Sequence, residues 1–469
     1  MFSETLLRLP GPRRHLAHLQ EDLRDGTGCL WLFPEPEVDS GRAEQFLGAL
    51  LSGLDDVIEV PGASDATASG RPPHDAQADI WGYEDGSYAG LGGFGEGFDY
   101  DDGFGDWGRG EAAPVPVPTP AATPPEFGLS ERLAKELGLT ADPVEALVEG
   151  AQQRGPVLVI RAWNEDDPGA LSRLLRRMQA AVKDAGLPPA LRPRLLVAAR
   201  LEDLARDAWE SLDPVLYRAH WWWSVWSRLD TITLVTETYG VARPTQSWNT
   251  AQKRILQSVR CETLAEVCGP DLPLVTQLAH LWDGKPGTLL TALMACRRAT
   301  GSSVKFSGNT SAAYAPAPEP SVRPAWASGL LDSWEGQVRC TPVEWAMEPD
   351  GPERLDKLVW QAQNRVLLPL IDDARVRFVA LLPQGAVRGV RHLVETYVDR
   401  TAREGRATAA DLASMELGAI WAAVKRRDVS VSGTQQNQLA ALRTARNKLA
   451  HRCPLDDETL RKLVDALTS

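Results

Sequence analysis

The sequence predicts a multidomain protein in which an N-terminal α/β unit, with a parallel sheet and a helical extension, precedes a C-terminal all-α helical bundle. The chain has 469 residues, which is more than one ordinary domain holds. Short apolar runs alternate with helical patterns in its first half, as in parallel sheets that helices cover on both faces. Its last quarter carries helical patterns instead. Two or three domains are therefore expected.

Five apolar runs are predicted as the strands of one sheet. They span residues 29–33, 57–60, 156–161, 195–199 and 231–235. Helices are predicted over residues 43–51 and 171–185, because parallel strands need crossover connections between them. The α/β unit therefore comprises residues 1–61 and 128–240.

An acidic segment interrupts this unit between residues 62 and 127. It holds 12 Asp and Glu against Arg71 and Arg109, a net of −10 within a whole-chain charge of −13. Because it is rich in Gly and then in Pro, it is predicted as a disordered insertion. Beyond the sheet, apolar spacing predicts a helical, lid-like region over residues 241–301. A Ser-, Ala- and Pro-rich composition predicts a linker and short irregular segment over residues 302–351.

Three consecutive tryptophans, Trp221, Trp222 and Trp223, are predicted in or near a helix, with Trp226 one turn on. Three adjacent side chains cannot share one helical face, so at least one is exposed unless another domain or a partner covers it. Packing between domains and stacking on nucleic-acid bases are both open, and packing is favoured.

Composition excludes several classes of protein. No run approaches the roughly 18 apolar residues that a membrane span needs, and the N-terminus lacks the apolar core of a signal peptide. A cytoplasmic protein without a membrane partner is expected. The six cysteines are scattered without a C-x-x-C pair, which favours neither a zinc site nor a disulfide framework. No metal and no cofactor are predicted.

The best chemical clue lies near the C-terminus, where Arg446, Asn447 and His451 fall on the last turns of one helix. Asn447 and His451 are four residues apart and share a face, with Arg446 beside them. Pro454 ends the helix soon after His451. A cation, an amide and a titratable imidazole are the groups that bind and transfer protons around a phosphate, so these three are the candidate catalytic residues.

Basic residues surround this motif. Between residues 352 and 469, 19 Lys and Arg face 14 Asp and Glu, a net of +5. Arg443, Lys448 and Arg452 lie in the same helix end and are the candidate RNA-binding residues. A solvated charged face is the competing interpretation of such a cluster.

The string Arg-Asn-x-Leu-Ala-His, on the penultimate helix of the chain, resembles the R-N-x-x-x-H signature of the HEPN superfamily of small α-helical domains. Residues 360–375 resemble its first long helix and residues 415–420 a second, so the resemblance covers roughly residues 352–469. It implies a metal-independent endoribonuclease that works as a homodimer with a composite site. In that site His451 transfers protons and Arg446 stabilises charge on phosphorus, while Asn447 orients one of these two side chains. A unit that only binds RNA or partners, and an ordinary helix end, are the alternatives.

The order of elements in the α/β unit resembles a STAND-type P-loop NTPase, with residues 9–13 leading into the first helix. The first strand, however, runs into residues 34–39, which supply three carboxylates and no cation where a phosphate loop needs backbone amides and a Lys. Residues 163–167, after the third strand, are predicted as a helix N-cap region. The unit is therefore predicted to be a degenerate NTPase that senses or scaffolds without hydrolysis.

Together the two resemblances imply an RNA-cleaving, toxin-like effector of a bacterial conflict or phage-defence system. RNA, with tRNA among the candidates, a second copy of the chain and a neighbouring defence protein are the expected partners. The alternative is a non-enzymatic adaptor whose HEPN-like unit supplies dimerisation, RNA binding or partner binding.

Overall fold

A five-stranded parallel sheet forms the centre of the N-terminal half. The computed structural model describes residues 2–63, 128–205, 210–240, 250–296, 315–399 and 408–469. The strands, in chain order, are β1 (Gly28–Leu32), β2 (Val57–Glu59), β3 (Val157–Arg161), β4 (Arg194–Ala199) and β5 (Tyr217–Trp221). Their order across the sheet is β2-β3-β4-β1-β5, and all neighbours run parallel. The predicted α/β class with a parallel sheet is confirmed.

Helices cover both faces of this sheet, because β1, β3 and β4 are apolar except for Arg161 and Arg194 at strand ends and need burial on both sides. In chain order the helices are α1 (Phe2–Arg8), α2 (Pro10–Arg24), α3 (Glu35–Asp39), α4 (Arg42–Leu51), α5 (Leu129–Glu136), α6 (Pro143–Glu149), α7 (Pro168–Asp184) and α8 (Arg228–Gly240). The helices predicted over residues 43–51 and 171–185 correspond to α4 and α7. The predicted insertion lies, from residue 64 to residue 127, outside the described residues.

The fifth strand is not the predicted one. Residues 231–235 were expected in the sheet as the last of the apolar runs, but they lie in α8. Ser227 and Asp230 form a reciprocal cap at the start of this helix: the Ser227 N–H donates to Asp230 Oδ2 at 2.8 Å, and the Asp230 N–H donates to Ser227 Oγ at 3.3 Å. β5 takes the edge of the sheet instead, and the polar and exposed residues in its middle hide it from a search for apolar runs.

The tryptophan run follows this strand and is not helical. Trp221 ends β5, and Trp222 and Trp223 lie just beyond it, all three of them buried. Trp326 covers them: its ring centre lies 5.1 Å from that of Trp221, and its Nε1 donates to the Trp222 carbonyl at 3.0 Å. Trp223 Nε1 donates to the carbonyl of Ala315 at 3.1 Å. The three tryptophans are therefore packed inside one hydrophobic core together with the sheet, and all three are buried.

Residues 302–351 were predicted as a linker and short irregular segment, but the described part, from residue 315, is ordered into elements. They are α12 (Arg323–Ala327), β6 (Leu331–Trp334), β7 (Gln337–Cys340) and α13 (Pro342–Trp345). β6 and β7 form an antiparallel hairpin with positive φ at Glu335 and Gly336. The segment is structured because it buries Trp326, Trp334 and Trp345.

Three further helices, in the region predicted as helical and lid-like, pack between the sheet and the C-terminal unit. They are α9 (Thr250–Cys268), α10 (Leu272–Leu281) and α11 (Leu289–Ala295). One continuous hydrophobic core joins the sheet, these helices and the hairpin segment.

The C-terminal unit is helical and has a second core of its own. It consists of α14 (Gly351–Gly385), α15 (Val390–Tyr397), α16 (Leu417–Lys425), α17 (Gly433–Ala450) and α18 (Asp457–Thr468). α14 enters both cores, because Leu355 and Val359 lie in the first and Leu367 and Ile371 in the second. Among the described residues, no helix has both the length and the apolar composition to cross a membrane.

Candidate functional site

The candidate catalytic residues lie at the C-terminal end of α17. Ser432 begins this helix with a capping box: its Oγ accepts from the Gln435 N–H at 3.2 Å, and its own N–H donates to Gln435 Oε1 at 2.8 Å. His451 is the C-cap, and Arg452 has a φ of 60° in the left-handed region. The helix therefore ends where Pro454 predicts, with His451 at its exposed tip.

The turn that carries His451 is held from below by α14. Trp360 Nε1 donates to the Leu449 carbonyl at 2.6 Å, and the same carbonyl accepts from the Arg452 N–H at 3.2 Å. Gln363 is fully buried and forms two hydrogen bonds with the backbone of Leu455: Nε2 donates to the carbonyl at 3.0 Å, and Oε1 accepts from the N–H at 2.6 Å. These contacts fix the backbone on both sides of His451.

Arg446 points away from the buried face of α17. Its side chain is 45% exposed and forms an ion pair with Glu416 at 3.6 Å. The position of Glu416 is set by Arg375, whose Nη1 donates to the carbonyls of Ala413 at 2.7 Å and Met415 at 3.2 Å. An exposed ion pair of this length is weak and can be exchanged for a phosphate.

The three candidate RNA-binding residues have different surroundings. Lys448 is held by Asp456 at 2.6 Å, and this ammonium group lowers the pKa of the Asp456 carboxyl below its usual range. Arg443 lies 5.9 Å from the ring centre of Trp421, an aromatic platform on α16 that Lys425 also approaches, at 4.6 Å. Arg452 lies 6.0 Å from the ring centre of Trp360.

Arg446, Asn447 and His451 thus share one end of one helix without contacting each other through side chains. No hydrogen bond or ion pair joins the three side chains in the described parts of the chain, and Arg446 and His451 are exposed. One chain places one imidazole, that of His451, beside Arg446 at this surface. A reaction in which imidazoles serve as both the general base and the general acid therefore needs the His451 of a second chain.

The carboxyl end of β1 lacks the features of a phosphate site. Residues 34–39 form a turn and the short helix α3. Burial raises the pKa of Glu35, and the neighbouring carboxylates of Glu202 and Asp39 raise it further. Arg200, beside them, is bonded to Glu202 at 2.9 Å and lies 3.9 Å from Asp39. This negative surface disfavours a triphosphate.

The acidic end of β3 is a helix cap, as predicted for residues 163–167. Asp167 is the N-cap of α7, and its Oδ1 accepts from the Gly169 N–H at 2.8 Å. Glu165 forms a buried ion pair with Arg132. These contacts occupy the carboxylates of Asp167 and Glu165, and they confirm the predicted helix cap.

A second cluster of chemically versatile side chains was missed in the sequence. Asp22 of α2, Cys29 of β1 and His220 of β5 bring a carboxylate oxygen, a sulfur and a ring nitrogen within 4.8 Å of one another. The spacing of His15, His18 and Asp22, which places them on one face of α2, was the available signal.

A scan against models of protein families, a search of curated proteins and a search of solved structures each found no match for this chain.

Proposed function

We propose that the protein is a metal-independent endoribonuclease whose active site is formed by the ends of α17 from two copies of the chain. The observation that carries the proposal is the position of Arg446, Asn447 and His451 at an exposed helix end whose backbone Trp360 and Gln363 hold in place. This end belongs to a helical unit with its own core and a net charge of +5, 19 basic against 14 acidic residues.

The chemistry suited to these groups is transesterification of RNA. One His451 takes the proton from a ribose 2′-OH, the 2′ oxygen attacks phosphorus, and the bond from phosphorus to the 5′ oxygen breaks. The His451 of the second copy donates a proton to the departing 5′ oxygen. Arg446 stabilises the charge that develops on the phosphoryl oxygens, and Asn447 orients the phosphate by hydrogen bonding. The products are a 2′,3′-cyclic phosphate and a 5′-hydroxyl.

Substrate binding in this proposal uses the basic residues beside the motif. Arg443 and Arg452 lie over aromatic rings and form no ion pair with a carboxylate of the described residues, so we assign them to the phosphate backbone. Lys448 serves RNA only if it leaves Asp456. We further propose that the α/β unit is a non-hydrolysing sensor or scaffold within a defence system, because carboxylates crowd the strand end where a phosphate would bind.

The test is cleavage of total RNA and of defined tRNA by the purified chain without added metal. We expect His451→Ala to lower the rate by about 10²–10⁴-fold and Arg446→Ala by about 10²–10³-fold. His280→Ala and Arg461→Ala are matched controls, because His280 and Arg461 are exposed on other helices, and both should keep full activity. The ends of the products should be 2′,3′-cyclic phosphates.

Equal cleavage by wild type and both site variants would mean a contaminating nuclease and would overturn the assignment of the site. The alternative function, a non-enzymatic adaptor, is favoured by the ion pairs that Glu416 and Asp456 make with Arg446 and Lys448. It predicts no cleavage with any RNA, and no difference in cell growth between wild type and His451→Ala when each is expressed.

A further inference from the structure

Five side chains of the kinds that bind transition metals converge on one face of the sheet, far in sequence from the α17 motif. His15, His18 and Asp22 share a face of α2 at spacings of three and four residues. Cys29 lies on β1 and His220 on β5. These strands are parallel neighbours, and the register pairs Cys29 with Arg218 and Trp31 with His220, which puts Cys29 and His220 on the same face.

Three of these groups lie close enough for a common ligand. The donor atoms of Asp22, Cys29 and His220 are all within 4.8 Å of one another. Ligand atoms around a tetrahedral Zn²⁺ lie about 3.3–3.8 Å apart, given bond lengths of about 2.0–2.3 Å. Closing the cluster around an ion therefore requires movements of no more than about 1.5 Å, which side-chain rotation supplies. Asp22 and Cys29 are buried, and the His220 side chain is 14% exposed, so the cluster is shielded but reachable from the edge of the sheet.

His15 provides an independent sign of a ligand. Its Nε2 is buried and makes no hydrogen bond among the described residues. Its ring centre lies 6.1 Å from that of His220, with the two rings nearly perpendicular at 87°. An imidazole nitrogen that is buried and unpaired is costly unless a partner binds it.

Ion pairing explains only part of the cluster. Asp22 Oδ2 lies 2.9 Å from His220 Nε2, and Asp22 Oδ1 is bonded to Arg218. These contacts satisfy Asp22 and His220, but they leave the His15 nitrogen without a partner. The Arg218 side chain is 58% exposed, so it can move into water when a cation takes its place beside Asp22.

We propose that Asp22, Cys29 and His220 bind one divalent transition-metal ion of the Zn²⁺ type, and that His15, whose ring centre lies 6.1 Å from that of His220, turns its ring to become the fourth ligand. On binding, the bond from Cys29 sulfur to the metal forms as the thiol loses its proton to solvent, while the imidazoles bind in their neutral forms. A ligand set of one sulfur, two nitrogens and one oxygen suits borderline ions such as Zn²⁺ and Co²⁺ and disfavours Mg²⁺ and Ca²⁺. The ion joins α2 to β1 and to the edge strand β5. Because these ligands come from three separate elements, the lack of a C-x-x-C pair does not exclude the site.

The experiment is a titration of the metal-stripped full chain with Co²⁺, followed by the near-ultraviolet charge-transfer band of a thiolate bound to cobalt. We expect a band that saturates at one Co²⁺ per chain and disappears when Zn²⁺ is added. Cys29→Ser should abolish the band, and Cys453→Ser should keep it, since Cys453 is the exposed free cysteine. His220→Gln, at the partly exposed edge strand, should weaken Co²⁺ binding at least tenfold while circular dichroism shows a folded chain.

The absence of a band in wild type, or its persistence in Cys29→Ser, would overturn the proposal and leave an ion-pair cluster only. If Cys29→Ser does not fold, the test is a comparison of His220→Gln with the control His280→Gln. The proposal stands only if His220→Gln binds Co²⁺ more weakly than His280→Gln does. This readout does not involve RNA, so its outcome is independent of the proposed nuclease function.

Discussion

Gln363 is the residue on which the geometry around His451 depends most. Both ends of its buried amide are hydrogen-bonded to the backbone of Leu455, in the turn that follows α17. Gln363→Leu preserves the approximate volume but leaves a buried N–H and a buried carbonyl without partners, at a cost of about 1–3 kcal/mol each. We expect the free energy of unfolding to fall by at least about 2 kcal/mol and RNA cleavage to fall with it, since the turn no longer holds His451. Urea unfolding and the cleavage assay measure the two effects.

The matched control for this change is Gln384→Leu, because Gln384 lies on the same helix and is exposed. It should change stability by no more than about 0.5 kcal/mol. If Gln363→Leu were as stable as the control, the two hydrogen bonds to Leu455 would not be holding the turn, and Gln363 would not position His451.

At the scale of elements, a buried charge cluster joins four of them. Glu266 of α9 is paired with Arg228 of α8 at 2.6 Å, with Arg365 of α14 at 3.0 Å, and with Arg339 of β7. Burial raises the pKa of Glu266, but the three guanidinium groups outweigh it and leave the pKa below its usual value of 4.5. Glu262, one turn earlier, is bonded to two of the same arginines. The cluster fixes the C-terminal unit onto the helical region and the hairpin.

A depressed carboxyl pKa in the folded state stabilises the protein above the unfolded pKa, and this stability is lost as the pH falls through the folded value. We therefore expect wild type to lose stability below about pH 4.5. Glu266→Gln should cost about 3 kcal/mol near neutral pH, because it leaves arginines partly buried without their partner, and should show a smaller further loss in acid. Urea unfolding on both sides of this pH tests both statements. Glu237→Gln, exposed on α8, should follow the wild-type curve.

Some strands and helices could be predicted from the pattern of the sequence, and others could not. β1, β3 and β4 were predictable because a strand buried on both faces reads as an unbroken apolar run. β5 was not, because this edge strand exposes Arg218 and Ala219 in its middle and so contains no apolar run. Four of residues 231–235 are β-branched and the run predicted a strand, yet the cap formed by Ser227 and Asp230 and the tertiary contacts of α8 make it helical.

The candidate sites differ in the same way. Arg446, Asn447 and His451 could be found because their relation is local, within two turns of one helix ended by a proline. The cluster of Asp22, Cys29 and His220 depends on the strand order, which places β5 beside β1. The two strands are far apart in the chain, since β1 ends at Leu32 and β5 begins at Tyr217. Periodicity within one segment carries no information about such neighbours.

The described part of the molecule has two hydrophobic cores, and the helices α9 and α14 both enter the two of them, α9 with Leu264 in the first and Val259 in the second. α14 runs through both, with Val359 in the first core and Leu367 in the second. α14 also carries Trp360 and Gln363, which bond to the backbone on both sides of His451. In the function proposed above, a displacement of the sheet unit that moves α14 would reach the turn at His451 through these two side chains.

A composite active site makes activity depend on assembly of two whole chains. If each scissile phosphate needs two imidazoles, and one chain exposes one His451 at this surface, the monomer is inactive. Cleavage per mole of protein should then fall as the protein is diluted through the dissociation constant of the dimer, in step with the mass measured by light scattering. Leu439→Ala removes a buried side chain of α17 and should lower the free energy of unfolding by about 2–5 kcal/mol. Its loss of cleavage shows the effect of unfolding, which can then be told apart from the effect of dissociation. Activity per mole that stays constant while the mass falls to that of one chain would show that each chain carries a complete site.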